Sequence, residues 1–568
     1  MSPESLLKHF HRIAEDPDAI PRLRRFILDL AVRGKLVEQD PNDESAAELL
    51  KRIETEKAGL IQMGLYRQQD TPSSNTEEVP FDIPTGWQWT QMAKIGVVNP
   101  RCKADDTTDV SFIPMSLITV EYGNPSGHEI RPWVEIKKGF THFAEGDVGL
   151  AKITPCFENG KSTVFRNLTG GLGAGTTELH VLRPIDVSPD YVLIFLKSPH
   201  FIGGGIPKMT GTAGQKRVPK EYFSYSPFPL PPLAEQHRIV AKVGELMALC
   251  DELEAEQTKR ERRRDRLVAA TLHGINNGDA SPEPGAHPSF KESARFYFRH
   301  LPRFTTRPEH IQQLRQTILS LAVHGKLVQQ NKHDETAEEL INNILFSKKG
   351  LVNKKTSKKS NLVNSVCTDN TNFDIPKQWT WTKLGTIYDV RDGTHDTPKY
   401  VNNGYPLITS KNLYSGKLSF YDIKFISEQD YLKINQRSAV DKGDILFAMI
   451  GSIGNPVIVD TDRPFSIKNV ALFKYFNRDL SNPGFLKLFL QFASNQMRKV
   501  ATGGLQAFVS LAFLRNYPCP LPPLAEQSRI VAKVAELMDV CDELEVGLEA
   551  KATTQRQFLE ASLLESLL

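Results

Sequence analysis

The sequence has few cysteines and no long apolar run. Its six cysteines, spread over 568 residues, form no C-x-x-C pair. Disulfide frameworks and zinc sites need paired or clustered cysteines, so neither is indicated. No stretch approaches the ~18 apolar residues of a membrane span, and the N-terminus lacks the apolar core of a secretory signal. These absences predict a cytoplasmic protein without a membrane partner.

Familiar catalytic motifs are also missing. Gly160-Lys161-Ser162 matches only the end of a phosphate-binding loop, because Pro155 stands where the first glycine is needed. Both Pro-Pro pairs are flanked by leucine, which cannot accept hydrogen bonds from an adenine as the motif of adenine methyltransferases does. Neither H-E-x-x-H nor G-x-S-x-G occurs. The sequence predicts a noncatalytic protein; a self-contained methyltransferase or nuclease is the alternative.

The dominant feature of the chain is an internal duplication. Residues 230–254, which begin Leu-Pro-Pro-Leu-Ala-Glu-Gln, return with few changes as residues 521–545, a shift of 521 − 230 = 291. Residues 28–37 recur as 319–328 at the same shift. Two copies at so long a period exclude a solenoid, whose repeats run to about 20–50 residues. The duplication predicts two tandem half-molecules related by a two-fold pseudosymmetry.

Length and composition fit a soluble protein of several domains. With 40% hydrophobic and 24% charged residues the chain is ordinary globular protein, and its length allows roughly three to four domains. The predicted class is α+β, with two α/β domains in tandem separated by two long antiparallel helices. The predicted segments are a helical arm and linker at 1–80, a first α/β domain at 81–230, a first spacer helix at 231–275, a linker and repeated arm at 276–372, a second α/β domain at 373–521 and a second spacer helix at 522–568.

The two spacer helices are predicted from apolar residues at a spacing of three and four. These residues are Ile239, Val243, Leu246, Cys250, Leu253 and Leu267 in the first copy, and Ile530, Val534, Leu537, Cys541, Leu544, Leu548 and Phe558 in the second. Such a seam is typical of coiled-coil packing. An antiparallel pair would hold the two α/β domains apart; the alternative is two ordinary core helices.

Three polar stretches have the composition of linkers. They cover residues 68–80, 276–288 and 347–372, and they cannot bury enough apolar surface to order themselves. The third contains six lysines and no acid before Asp369. It is predicted to be a solvated linker, with a nonspecific phosphate contact as the alternative.

Short motifs in the two α/β domains complete the pattern. They lie at residues 99–101, 112–115, 146–153 and 210–218 in the first domain and at 391–400, 406–413, 443–454 and 502–510 in the second. Together with the doubled Pro-Leu-Pro-Pro-Leu-Ala-Glu-Gln motif, they make the chain resemble the specificity subunits of type I restriction-modification systems. The resemblance extends over nearly the whole sequence.

The resemblance implies a function and a set of partners. Two target-recognition domains would each read one half of an interrupted sequence in double-stranded DNA. The chain itself would bind no cofactor and no metal. Its helices would dock two modification subunits, which bring S-adenosylmethionine, and restriction subunits, which bring ATP and magnesium. A coiled-coil adaptor that binds only protein is a further alternative.

Candidate DNA contacts follow from side-chain chemistry. Arginine and lysine read guanine, and asparagine and glutamine read adenine, in the major groove. Lys208, Lys216, Arg217 and Lys220 surround Gln215 and are opposed only by Glu221, which predicts a phosphate-holding cluster with one base reader; a solvated loop is the alternative. The repeat pairs Gln215 with Gln506. The candidate residues are Arg101, Lys103, Lys152, Thr210, Gln215, Lys216, Arg217, Arg391, Thr394, His395, Lys411, Asn412, Ser452 and Gln506.

Overall fold

The structure, a computed structural model, shows the duplication as two compact units. It describes residues 16, 18–66, 79–123, 126–212, 214–277, 289–353, 373–414, 416–501 and 507–567. One unit comprises Met1–Glu261 with Ala552–Leu568, and the other comprises Arg262–Lys551. Each unit therefore contains a helical arm, an α/β domain and parts of both long helices.

The arm of the first unit consists of α1 (Ala19–Val32) and α2 (Ala46–Gln62). α2 begins at a capping box, in which Ser45 Oγ accepts the Glu48 N–H and the Glu48 carboxylate accepts the Ser45 N–H, both at 3.3 Å. Gly34 follows α1 with a φ of +68°, and a Cβ at this position would lie 2.4 Å from Pro84 Cγ. Only glycine fits there, which explains the glycine in the repeated segment 28–37.

The first α/β domain contains two four-stranded sheets. Its strands are β1 (Gln88–Gln91), β2 (Gly96–Val98), β3 (Asp109–Ile113), β4 (Glu129–Pro132), β5 (Thr141–Ala144), β6 (Val148–Ala151), β7 (Ser162–Val164), β8 (Leu172–Gly175), β9 (Leu179–Pro184) and β10 (Pro227–Leu230). Its helices are α3 (Met92–Ile95), α4 (Trp133–Ile136), α5 (Pro189–Lys197), α6 (Pro199–Gly205) and α7 (Lys220–Tyr225). The sheets have the orders β2-β9-β6-β7 and β4-β3-β8-β5, and β1 pairs with β10 to close the domain.

The first long helix is α8 (Leu233–Asn277). It begins directly after Pro231-Pro232, because proline is tolerated before a helix but not inside one. Ile239, Val243 and Cys250 are buried as the spacing predicts.

The second unit repeats the arm and adds a helix before it. Its helices are α9 (Phe290–Arg299), α10 (Leu301–Phe304), α11 (Pro308–Val323) and α12 (Ala337–Asn353). Thr336 and Glu339 form the capping box that matches Ser45 and Glu48. Gly325 has a φ of +68°, and a Cβ at this position would lie 2.4 Å from Pro376 Cγ, as a Cβ at Gly34 would from Pro84.

The second α/β domain repeats the construction of the first. Its strands are β11 (Thr380–Lys383), β12 (Tyr388–Asp392), β13 (Tyr400–Val401), β14 (Tyr405–Ile408), β15 (Lys424–Ile426), β16 (Ile445–Ala448), β17 (Gly454–Ile458), β18 (Ser466–Ile467), β19 (Val470–Tyr475) and β20 (Pro518–Leu521). Its helices are α13 (Leu384–Ile387), α14 (Glu428–Ser438), α15 (Pro483–Val500) and α16 (Leu511–Asn516), and the chain continues into the second long helix, α17 (Leu524–Leu567).

The two α/β domains share the topology of seven strands in their two main sheets, although their sequences resemble each other poorly. The sheet order β12-β19-β16-β17 repeats β2-β9-β6-β7. In the second sheet, β15-β14-β18 matches β4-β3-β8, including the parallel pairs β14 with β18 and β3 with β8. The remaining edge strand differs, being β13 in one domain and β5 in the other. We call the helical arm, the matching strands and the long helix of each unit the frame. The frame is thus duplicated, and the loops that connect its strands are not.

Each long helix belongs partly to one unit and partly to the other, and the two helices run through the units in opposite order. The first part of α8 and the last part of α17 belong to one unit, and their other parts belong to the second unit. In the second unit, Val268 and Ile275 of α8 share a core with Ile530 and Val534 of α17. This division is that of an antiparallel pair with a coiled-coil seam, as predicted.

The predicted seam is wrong by one residue near the end of each helix. Leu267 is half exposed and Phe558 is exposed, whereas Val268 and Leu559 are fully buried. A spacing of three and four residues that starts at Cys250 passes through the polar Gln257 and can reach either residue 267 or residue 268. Because the middle of the seam is polar, the apolar residues alone did not show which of these two neighbouring positions faces the partner helix. Within the described residues, no helix is long and apolar enough to span a bilayer.

Candidate nucleic-acid interface

In the first domain, a hairpin brings four of the predicted residues together. The Thr210 N–H donates to Arg217 O at 3.0 Å, and the Arg217 N–H donates to Thr210 O at 2.8 Å. The base of the hairpin is fixed to the end of β6, because the Val218 N–H donates to Lys152 O at 2.8 Å. Gln215 and Lys216, near the tip, are exposed.

Arg217 is not a free cation. Its Nη2 and Nε atoms lie 2.8 and 2.9 Å from the two carboxylate oxygens of Glu178, the residue directly before β9. The guanidinium holds the pKa of Glu178 below its ordinary value. The interpretation that Glu221 alone opposes the basic cluster was therefore incomplete, since the fold adds Glu178. Lys216 is the exposed cation of the hairpin.

The other basic candidates of the first domain lie elsewhere. Arg101 and Lys103 follow β2 and are exposed. Between them, the Cys102 N–H donates to His142 Nδ1 at 3.3 Å, so the loop that carries both cations is tied to β5. Lys208 has its Nζ 5.9 Å from the centroid of the Tyr222 ring.

In the second domain, His395 is held on an ordered turn. Its Nε2 lies 2.9 Å from Asp392 Oδ2, and its Nδ1 lies 3.1 Å from Asn469 Oδ1. The carboxylate of Asp392 is buried and also binds Arg437. The neighbouring Thr394 donates its N–H to Ile467 O at 3.0 Å. The imidazole remains mostly exposed, so the turn presents it in one orientation.

Arg391, the other candidate beside this turn, lies on β12 and pairs with Asp389 at 2.6 Å, and its Nη1 donates to Arg437 O at 3.1 Å. As with Arg217, its charge is opposed by a carboxylate of the same domain.

Asn412 has a different role from the predicted one. Its side chain is buried, and its Oδ1 accepts the Thr409 N–H at 3.0 Å. Its Nδ2 donates to Ser419 O at 3.1 Å and to Tyr421 O at 3.3 Å. The amide is therefore used in ordering the loop between β14 and β15 and cannot reach a base edge. Of the predicted pair, only Lys411 is exposed.

Two exposed tyrosines on that loop were missed by the sequence reasoning. Tyr414 is 78% exposed and Tyr421 is 87% exposed, beside Lys411 and on the loop that Asn412 orders. Aromatic residues interleaved with lysine, as in residues 411–421, are the signal that could have identified them.

Ser452 lies on the exposed turn between β16 and β17. Arg498 Nε donates to Ile453 O at 2.7 Å, and the Gly451 N–H donates to Ala507 O at 3.0 Å. This arrangement matches the attachment of residues 210–218 to the end of β6. The last candidate, Gln506, lies outside the described residues.

A Gly-Asp pair occurs in both domains, at residues 146–147 and 443–444, and its aspartate stabilises the sheets. Asp147 is buried and accepts two hydrogen bonds from Arg183 on β9, both at 2.7 Å. Asp444 is buried in the same way and binds Lys474 on β19 at 2.6 Å. Burial raises the pKa of both carboxyl groups, against the opposing effect of their cations. In the parts of the chain that the structure describes, no cluster of three or more His, Cys, Asp or Glu side chains could hold a metal ion.

Comparison with known proteins agrees with this geometry. Residues 376–554 match the model of the type I restriction modification DNA specificity domain. The chain is 37% identical to the type I restriction enzyme EcoAI specificity subunit of Escherichia coli, over 95% of this chain and 93% of that protein. The chain belongs to the type I restriction enzyme specificity subunits. It is 36% identical to the EcoEI specificity subunit of the same organism, with the same coverage.

A solved HsdS subunit from Thermoanaerobacter tengcongensis also aligns with the chain. It is 19% identical, covers 86% of this chain and 98% of its own, and gives a TM-score of 0.43. The family membership rests on the two Escherichia coli relatives, which are covered almost completely. It confirms the prediction of a noncatalytic specificity subunit.

Proposed function

We propose that this specificity subunit reads a bipartite, interrupted sequence in double-stranded DNA, one half with each α/β domain. One observation carries the proposal: the two domains share the strand order of one sheet and of three strands of the other, while the loops on that frame carry different residues. The first domain presents the hairpin with Gln215 and Lys216, and the second presents His395, Lys411 and Tyr421. A shared frame with different loop chemistry suits two half-sites of different sequence.

The proposed DNA contacts are of two kinds: contacts with phosphate groups and contacts with bases. Lys216 and Lys411 are exposed cations that suit phosphate, a contact that contributes affinity without sequence information. Gln215 suits a bidentate contact with adenine in the major groove. In the second domain, the exposed rings of His395 and Tyr421 supply ring contacts. Both nitrogens of the imidazole are already held by Asp392 and Asn469.

The same subunit would assemble the rest of the complex in the cytoplasm. Two modification subunits would bring S-adenosylmethionine, and restriction subunits would bring ATP and magnesium. The chain itself would hold no cofactor. The support is the two-fold repetition of the arm, the closing strand pair and the long helix, which offers two equivalent surfaces to two copies of one partner.

Sequencing of methylated adenines tests the proposal. The chain is expressed with its modification subunit in a host that lacks other adenine methyltransferases. The expected result is one methylated motif made of two specific halves separated by a spacer of any sequence. A continuous motif, or methylation without sequence preference, would contradict two half-site readers.

A further inference from the structure

A groove lies at the same place of the duplicated frame in each unit. The groove of the first unit has a volume of about 640 Å³, and so has the groove of the second unit. Their linings correspond through the shift of 291: Lys208 with Lys499, Glu221 with Ala512, Tyr222 with Phe513, Tyr225 with Asn516, Ser226 with Tyr517 and Pro227 with Pro518. We call them the frame grooves.

The frame grooves belong to the duplicated frame and not to the divergent loops. One wall is α7 in the first unit and α16 in the second, and the floor includes the first residue of β10 or β20. Of the DNA contacts predicted from the sequence, Lys208 of the phosphate-holding cluster lines the first groove, and the predicted base readers are absent from both linings as described. Because the reading loops differ between the domains and the grooves correspond in position, the occupant should be the same in both units. The base edges of two different half-sites do not meet this condition, whereas two copies of one protein do. The phosphate groups of DNA, which carry no sequence information, are the other occupant that the test below distinguishes.

The side chains that line the grooves favour a bound partner with an apolar side chain next to an acidic one. Tyr222 and Phe513 provide aromatic walls in the two units, and Lys208 and Lys499 place a cation next to them. Glu221, the one acid among the described lining residues of the first groove, is replaced by Ala512 in the second. A volume of about 640 Å³ falls within the range of about 300–1,000 Å³ that is typical of binding sites.

Two buried polar atoms in the lining of the first groove have no hydrogen-bond partner within the described residues. They are Oγ1 of Thr90, a residue that is 6% exposed, and Oε1 of Gln91. Buried polar atoms are normally satisfied. The amide oxygen accepts a donor such as a backbone N–H group, and the hydroxyl can donate or accept, so a polypeptide can satisfy both atoms.

We propose that the frame grooves are the anchor points of the two modification subunits, each of which inserts an apolar side chain flanked by an acidic residue. This inference rests on the proposed function, since it names the surface through which the two copies bind. Lys208 and Lys499 select the acidic residue, and the aromatic walls receive its apolar neighbour.

The test uses charge reversal in the full chain with native mass spectrometry of the complex. The variants are Lys208→Glu, Lys499→Glu and the double variant. Each single variant is expected to lose one of the two modification subunits, with at least tenfold weaker binding at that end, and the double variant is expected to lose both. Lys499→Arg should retain both copies. Matched controls are Lys138→Glu and Lys433→Glu, which reverse exposed lysines outside the grooves.

The outcomes separate this inference from the proposed function. A double variant that still carries two modification subunits would overturn the inference and leave the proposed function intact. A double variant that assembles normally but loses DNA binding would overturn it in favour of a nucleic-acid occupant. If the unmodified chain bound no modification subunit, the proposed assembly and this inference would both fail. Unchanged thermal unfolding shows that a loss of binding is not a loss of folding.

Discussion

Arg217 and Glu178 form a two-point ion pair, with nitrogen to oxygen distances of 2.8 and 2.9 Å. Arg217 lies on the hairpin that carries Gln215 and Lys216, and Glu178 lies directly before β9. The pair fixes the base of the hairpin and neutralises one of its two neighbouring cations. The hairpin therefore presents one net positive charge, at Lys216.

We expect Lys216 and Arg217 to differ in the salt dependence of DNA binding. Lys216→Ala should reduce the slope of log K against log salt by about one, the value for one lost phosphate contact. Arg217→Ala should reduce it less, because Glu178 already opposes that charge. Glu178→Gln should steepen the slope. Fluorescence anisotropy across a salt series measures all three, and equal slopes for both alanine variants would show that Arg217 also contacts phosphate.

Tyr421 and Asn412 should affect DNA binding in different ways. Tyr421→Ala removes an exposed ring and should weaken binding to target DNA about tenfold, or about 1.4 kcal/mol, without changing thermal stability. Tyr421→Phe keeps the ring and separates its contribution from that of the hydroxyl. Asn412→Ala should lower both affinity and stability, because four hydrogen bonds of the loop are lost. A Tyr421→Ala protein with unchanged affinity would remove this loop from the proposed interface.

The repeated Leu-Ala-Glu-Gln motif contains a matched pair for a stability test. Gln236 Oε1 accepts the Ser188 N–H at 2.9 Å, and its Nε2 donates to Pro231 O at 2.9 Å. Gln527 makes the second bond, to Pro522 O, but its Oε1 has no partner within the described residues. Gln236→Met should therefore lower the free energy of unfolding by about 1–3 kcal/mol more than Gln527→Met does. Urea unfolding compares them, and equal losses would indicate that the Ser188 bond contributes nothing.

Lys197 should make stability depend on pH. Burial lowers the pKa of this lysine to about 7, and its Nζ donates to Val120 O at 2.7 Å and to Gly160 O at 3.0 Å. In the unfolded chain it titrates near pH ~10.4. Between these two pH values the unfolded state binds a proton that the folded state has released, so the contribution of Lys197 to stability rises with pH. The free energy of unfolding of wild type minus that of Lys197→Met should increase from about pH 7 to about pH 10. Parallel pH profiles would contradict this.

The sequence predicted the frame more accurately than the interface. The strand expected at residues 181–184 lies within β9, and the expected segments 444–450 and 457–459 overlap β16 and β17. Apolar periodicity and proline position determine such elements locally. Leu267 and Phe558 were misassigned because polar residues interrupt the seam before them.

The interface could not be predicted residue by residue. Asn412 is chemically suited to read adenine, but the turn at Thr409 buries it, and the exposed side chains of that loop are tyrosines. Arg217 is likewise paired with a residue 39 positions earlier. Neither the burial of a polar side chain nor a distant ion partner can be read from residue type and local spacing. The topology that the two domains share could not be predicted from the sequence either, because different residues occupy the equivalent buried positions.

The central claim is that the two α/β domains read their half-sites independently. Exchange of residues 87–229 for the same region of a related specificity subunit, followed by sequencing of methylated adenines, tests it most directly. Independent reading should give a bipartite motif in which one half is new and the other half is that of the original protein. A motif in which both halves change, or in which neither does, would contradict it.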